Sequence, residues 1–301
     1  MEGEKIRIGI IGLGLMGGSA GLRLKEQSIA STVFGYDINP KNCAEALALG
    51  VIDKIVDLEQ LSQNSDLIIM AIPVNKALKL LPLIMENVHP DAVVIDFGST
   101  KKRISKQADM LVNRRQFVAC HPIAGTENTG PGAAFAQLYQ DKVNIICDQA
   151  SSSKDAIDLT IKISHALGMR IKFMDSASHD RHIAYVSHLS HISSFVLGET
   201  VLDVEKDEEN IFDMAGSGFA STVRLAKSSP DMWAPIFTEN SDNILLVLDQ
   251  YINNLNKFRV LIEESKEQEL ADSMRATNII RKVLEGERLT KQSAYQPTTI
   301  N

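Results

Sequence analysis

Two stretches of this 301-residue chain carry side chains able to exchange a proton with a small ligand. The first, "CHPIAGTENTGPGAA" (120–134), places His121 after a strand-like run, fixes the backbone with Pro122, and continues through Glu127 and three glycines. An imidazole with an ordinary pKa of about 6.5 suits a base working near neutral pH. A strand-end histidine on its own is more often structural. The reading as a base rests on its company, because Gly125, Glu127 and Gly130 make a loop that can close on a ligand. The second stretch, "DFGSTKKR" (96–103), offers Ser99 as a hydrogen-bonding group and Lys101 at the start of the next helix. Ser99 could equally serve only to cap that helix.

A third stretch supplies a place for a nucleotide. "IGIIGLGLMGGSAGLRL" contains Gly12, Gly14 and Gly17 as GxGxxG, after a strand-like run and opening a helix-like one. That context gives the motif its meaning. Gly12 permits the tight turn, Gly14 leaves room for a pyrophosphate, and Gly17 lets helix and strand pack closely. Leu15 and Met16 complete the same cradle, where backbone N–H groups and the helix dipole favour an anion. Asp37 follows the last glycine by about twenty residues, where a carboxylate accepts bonds from adenosine ribose hydroxyls. It would repel a 2′-phosphate, so NAD is expected over NADP. The competing reading is a glycine turn with Asp37 capping the helix after Pro40.

These residues need a scaffold, and the pattern supplies one. Short β-branched runs at 6–11, 32–36, 67–72, 92–96, 117–119, 143–147 and 170–173 alternate with amphipathic stretches at 18–27, 40–49, 76–85, 101–111 and 155–167. Apolar strands separated by helices predict an α/β fold, a Rossmann-type doubly wound, mostly parallel sheet with both faces covered. Such sheets bind ligands at the carboxyl edge. Beyond about residue 175 the strand signal fades and long helical patterns take over. The expected division is a NAD-binding Rossmann domain over 1–174 and a helical substrate and dimerisation domain over 175–301, ending in a frayed polar tail. "DVEKDEEN" (203–210) reads as a solvated loop or helix end.

A formal charge of −7 argues against a nucleic-acid partner. An acidic chain that binds an anionic substrate must therefore do so with a local cation. Three cysteines make no paired framework and no CxxC spacing, as in a reducing cytosol. The opening residues resemble no signal peptide, and no apolar run is long enough to span a bilayer, so a cytoplasmic protein without membrane contact is expected. His179, His182, His188 and His191 are dense, but no HExxH motif or cysteine ligand accompanies them and no metal is expected. Trp233, the only tryptophan, reads as an anchor of the helical half or its dimer interface.

In this order, "GLGLMGGS", "DFGSTK", "HPIAGTE", "VSHLSH" and "GFASTVRLAKSSPDMW" resemble the prephenate/arogenate dehydrogenase family, in its form without an ACT domain. The resemblance implies a dinucleotide-binding domain followed by a helical dimerisation domain, hence a homodimer. It implies NAD-dependent oxidative decarboxylation of prephenate to 4-hydroxyphenylpyruvate, on the route to tyrosine. By the same resemblance His121 is the catalytic group on the ring hydroxyl, and Ser99 bonds near it and the nicotinamide. Glu127 belongs to the pocket, His191 lies near the substrate side chain, and Arg224 grips a substrate carboxylate. Without the resemblance Arg224 reads as a surface arginine. Where the family commonly has proline in SHLPH this chain has Ser190, which is expected to alter only local helix geometry. Arogenate is the alternative substrate; a dinucleotide-sensing regulator that turns nothing over is a more distant alternative.

Overall fold

A computed structural model describes residues 5–205 and 212–286. The elements at its start are β1 (Ile6–Ile11), α1 (Leu15–Glu26), β2 (Ala30–Tyr36), α2 (Pro40–Ala48), β3 (Lys54–Ile55), α3 (Leu58–Asn64) and β4 (Leu67–Met70). Then come α4 (Val74–Asn87), β5 (Val93–Asp96), α5 (Lys102–Ala108), β6 (Phe117–Pro122), β7 (Val143–Cys147), α6 (Lys154–Ala166) and β8 (Arg170–Met174). The strands form one eight-stranded sheet in the order β3-β2-β1-β4-β5-β6-β7-β8. All pairs are parallel except β6 with β7. The expected mostly parallel, doubly wound sheet is therefore present. Its order reverses between β1 and β4, and the glycine loop leaves β1 at that point.

Strand residues divide by pleat between two cores. Ile8, Ile10, Leu67, Ile69, Val93, Ile95, Val118 and Cys120 join one cluster with Ala20 and Leu24 of α1 and Ile163 of α6. Ile11, Ile68, Met70, Val94, Phe117 and Ala119 join the other with Leu61, Ala77, Leu81, Ile84 and Ile104 from α3, α4 and α5. Both faces are thus dry, which explains why the runs look continuously apolar rather than alternating. The same pleat aims Asp96, Ala119 and His121 toward the α4–α5 face, and Asp96 lies opposite Ala119 in the register.

After β8 the described chain is helical. It runs α7 (Ser176–Ile183), a π-helical turn over Ala184–His188, α8 (Leu189–Glu205), α9 (Ser217–Val223), α10 (Pro230–Glu239), α11 (Ser241–Glu263), α12 (Glu267–Thr277) and α13 (Ile280–Leu284). The long pattern after residue 175 is thus continuous helix with a π turn just before Ser190. The chain divides into two compact units, Met1–Ile244 and Leu245–Asn301. Most of "DVEKDEEN" and all of the C-terminal tail lie outside the described residues. Among the described residues no helix is long and apolar enough to cross a membrane.

The β1–α1 junction depends on Gly17. A Cβ there would stand 1.9 Å from the Gly12 carbonyl oxygen and 2.9 Å from Ile10 Cγ2. Gly12 itself adopts φ +93°, open to glycine and strained for other residues. Gly17→Ala should force helix from strand and lower stability by about 1–3 kcal/mol, seen as a reduced melting temperature. An unchanged melting curve would show that the junction yields without cost.

Candidate active site

The glycine loop meets the demands of an anion cradle. Gly14 stands at the N-cap of α1, and no side chain caps the first amides of that helix. A Cβ on Gly14 would meet no atom within 4 Å, so the space beside it is open. Gly17 closes the loop against Gly12, and Leu15 and Met16 begin the helix beside that opening. The loop is held from behind, where the Tyr139 hydroxyl donates to the Met16 carbonyl at 2.6 Å. Asp37 follows β2; one carboxylate oxygen accepts the Leu13 N–H and the other the Asn39 N–H, both at 2.9 Å. Asn39, not Asp37, caps α2, accepting the Lys41 N–H through its side chain. Asp37 is left half-exposed at the loop, with its carboxylate beside the cradle.

His121 differs from its expected setting. It does not begin a loop: it lies within β6, opposite Ile145 of β7, and is only 8% exposed. The strand continues past residue 119 because antiparallel β7 pairs with it as far as Pro122. Burial drives the His121 pKa well below 6.5, and His179, Lys101 and His188 push it the same way. The imidazole is therefore neutral at physiological pH. Its Nδ1 stands 2.8 Å from Nε2 of His179, and Nδ1 of His179 stands 2.8 Å from an oxygen of Asp180. The Asp180 carboxylate also accepts the backbone N–H groups of Lys101 (2.7 Å) and Lys102 (2.9 Å). Asp180, not Ser99, is thus the side chain that caps α5. Ser99 sits half-buried in the loop between β5 and α5.

Lys101, expected at the cleft, is instead fully buried. Its ammonium pairs with Asp96 and donates to the Cys120 carbonyl at 2.7 Å. Asp96 also accepts the Gly98 N–H at 3.0 Å. The pair locks the Ser99 loop to the edge of β5 and β6. It is a structural ion pair, and sequence spacing alone carries no sign of it.

Of the four clustered histidines, His179, His188 and His191 enter hydrogen-bonded or stacked contacts, whereas His182 is exposed. Asn240 donates to the Asp180 backbone carbonyl at 2.7 Å and lies 3.2 Å from Nδ1 of His188. His188 is fully buried and its pKa is pushed down to about 4, chiefly by burial. His191 stacks on Trp233, with ring centroids 3.4 Å apart, and donates from Nδ1 to the Ser187 carbonyl at 3.0 Å. Burial also lowers the His191 pKa. Trp233 packs with Val74 and Ile236, so it joins α10 to α4 as well as carrying His191. Among the described residues no three His, Cys, Asp or Glu side chains are grouped as a metal would require. Arg224, just after α9, approaches Glu127 at 3.7 Å, and both are substantially exposed. Such a pair is weakly held and free to exchange partners. Sequence reasoning does not single out His179, Asp180 or Asn240 for this site. The one signal it contains is the adjacent His-Asp pair near the start of a long helix.

The family model described as "Prephenate dehydrogenase, nucleotide-binding domain" matches residues 20–173, and "Prephenate dehydrogenase, dimerization domain" matches residues 175–276. Cyclohexadienyl dehydrogenase of Zymomonas mobilis is 33% identical over 85% of this chain and 88% of its own length. Prephenate dehydrogenase of Bacillus subtilis is 30% identical over 90% of this chain and 74% of its own. The structure of prephenate dehydrogenase from A. aeolicus in complex with hydroxyphenyl propionate and NAD+ superposes with a TM-score of 0.87. It is 30% identical and covers 94% of this chain and 100% of its own.

Lys101→Met should destabilise the protein by about 3–5 kcal/mol, because it strands the Asp96 carboxylate in the core. Adding Asp96→Asn should recover much of that loss in denaturant melts. A single variant as stable as the parent would show that the pair does not hold the loop.

Proposed function

The chain belongs to the prephenate dehydrogenase family, and we propose that it converts prephenate to 4-hydroxyphenylpyruvate with NAD as oxidant. The observation that carries this reading is a neutral imidazole, nearly closed off from water, at the carboxyl edge of the sheet that also bears the nucleotide loop. Prephenate holds a ring hydroxyl, a ring carboxylate and a pyruvyl arm. Loss of hydride from the carbinol carbon and of CO2 from the opposite ring carbon leaves an aromatic ring. The hydroxyl proton leaves the oxygen as hydride departs and returns to it as the phenol forms, so no proton is lost overall. Aromatisation supplies the driving force.

Gly12, Gly14, Leu15, Met16, Gly17 and Asp37 would hold NAD, which supplies the hydride acceptor when bound. The open space at Gly14, the uncapped amides of α1 and the Asp37 carboxylate fit that group. His121 accepts the hydroxyl proton. Its low pKa keeps it unprotonated, and its burial strengthens every electrostatic interaction at the reacting oxygen. Ser99 orients the hydroxyl and the nicotinamide from the adjoining loop. Arg224 leaves Glu127 to grip a substrate carboxylate with its planar fork. Glu127 then lines the pocket, and His191, held flat by Trp233, faces the arm. Arogenate is a second reading: it shares the ring hydroxyl on which His121 acts and differs only at the arm. The family match sets aside a non-catalytic NAD sensor. We place the enzyme in the cytoplasm as a homodimer, consistent with the free thiols at Cys43, Cys120 and Cys147 and the matched dimerization region.

His121→Asn should lower kcat by roughly 10²–10⁴-fold while NAD still binds; unchanged turnover would remove His121 from the chemistry. Because burial, His179, Lys101 and His188 all disfavour its charged form, His121 stays a base as pH falls through 6.5. The acid limb of kcat/KM should therefore lie below pH 6.5, and a limb above it would contradict the assignment. Offering prephenate and arogenate in turn with NAD or NADP tests the substrate and Asp37 together. NADH should form fastest from prephenate, and a preference for NADP would overturn the role of Asp37.

A further inference from the structure

We infer that His179, anchored by Asp180, is a positioning residue that holds His121 in the one tautomer able to act as a base. The inference rests on the catalytic role proposed for His121, and a chain of hydrogen-bond polarities carries it. The chain starts at the Lys101 and Lys102 amides, which can only donate. They fix the Asp180 carboxylate as acceptor, at 2.7 and 2.9 Å. One of its oxygens lies 2.8 Å from Nδ1 of His179, so that nitrogen carries the proton and donates. A neutral imidazole has a single N–H, so Nε2 of His179 bears a lone pair. That lone pair lies 2.8 Å from Nδ1 of His121, which must donate to it. The only proton of neutral His121 is then on Nδ1, and Nε2 is left bare for the substrate hydroxyl.

The surroundings keep this arrangement from reversing. His179 is almost fully buried, and burial lowers its pKa despite the neighbouring Asp180. A protonated His179 would donate toward His121 and place the His121 proton on Nε2, abolishing the base. Lys101, fully buried, opposes a positive charge on either ring, and the buried His188 opposes one on His121. Asp96, paired with Lys101, partly offsets this at His179. Asn240 secures Asp180 from the far side through its backbone carbonyl. Asp180 thereby does two things at once. It orients His179, and it caps the helix that follows the Ser99 loop, so one carboxylate sets the base and that loop in register.

The test compares wild type, His179→Ala and His179→Gln as full-length protein, by steady-state kinetics over pH and by 15N spectra of labelled histidine. In wild type, His121 should carry its proton on Nδ1. In His179→Ala it should revert to the Nε2–H form, kcat should fall by roughly 10²-fold, and the acid limb should move to higher pH as burial is relieved. KM for NAD should change little, while the melting temperature should fall, because His121 and Asp180 lose a buried partner. The Gln carboxamide oxygen can still accept from His121 Nδ1, so His179→Gln should recover most of kcat and keep the tautomer. A wild-type His121 protonated on Nε2 overturns the inference whatever the turnover. So does a His179→Ala variant with wild-type kcat and an unmoved acid limb, or a Gln variant no better than Ala. If wild type shows the Nδ1–H tautomer yet forms no NADH from either substrate, the functional reading fails while the positioning geometry stands.

Discussion

Burial of the His121 imidazole sets the terms for the rest of the site. A titratable ring taken out of water at the end of a strand costs free energy unless its polar atoms are matched. Here the matching partner is another imidazole, matched in turn by a carboxylate that two helix amides hold in place. The consequence is an imidazole that stays neutral without a carboxylate of its own. The nearby ion pair of Lys101 and Asp96 fixes the loop beside it and adds a positive charge that further discourages protonation.

This arrangement requires the sheet to be built as it is. The parallel strands bring the glycine loop after β1 and the Ser99 loop after β5 to one edge. The antiparallel return of β7 then extends β6 by three residues beyond 119, which carries His121 into ordered structure. Without β7 the imidazole would sit in a loop with its backbone free to move. α7 supplies His179 and Asp180 from one turn, so a single helix docks both members of the chain against β6 and α5.

Much of this was legible in the residues alone. The runs at 6–11 and 143–147 are strands as their β-branched residues indicate, and the helical patterns at 40–49 and 155–167 correspond to α2 and α6. At the glycine motif the structure has the turn at Gly12, open space beside Gly14 and the Asp37 carboxylate against the Leu13 N–H. What escaped was of two kinds. β3 and α3 are too short for periodicity to register. The others are long-range pairings: His121 with His179 is a contact across 58 residues, and Asp180 with the α5 amides spans 79. Local pattern carries no information about such partners. It made Lys101 look available and left Ser99 open between a hydrogen-bonding group and a cap, whereas tertiary packing buries Lys101 and caps the helix with Asp180.

In the proposed reaction His121 faces the reacting hydroxyl from one side while the carbinol hydrogen points at the nicotinamide. A crystal structure of the complex with NAD and 4-hydroxyphenylpyruvate tests it most directly. The account predicts the phenolic oxygen within about 2.6–3.2 Å of His121 Nε2, with the ring carbon that bears it stacked against the nicotinamide. A product bound with that oxygen turned away from His121 would contradict it.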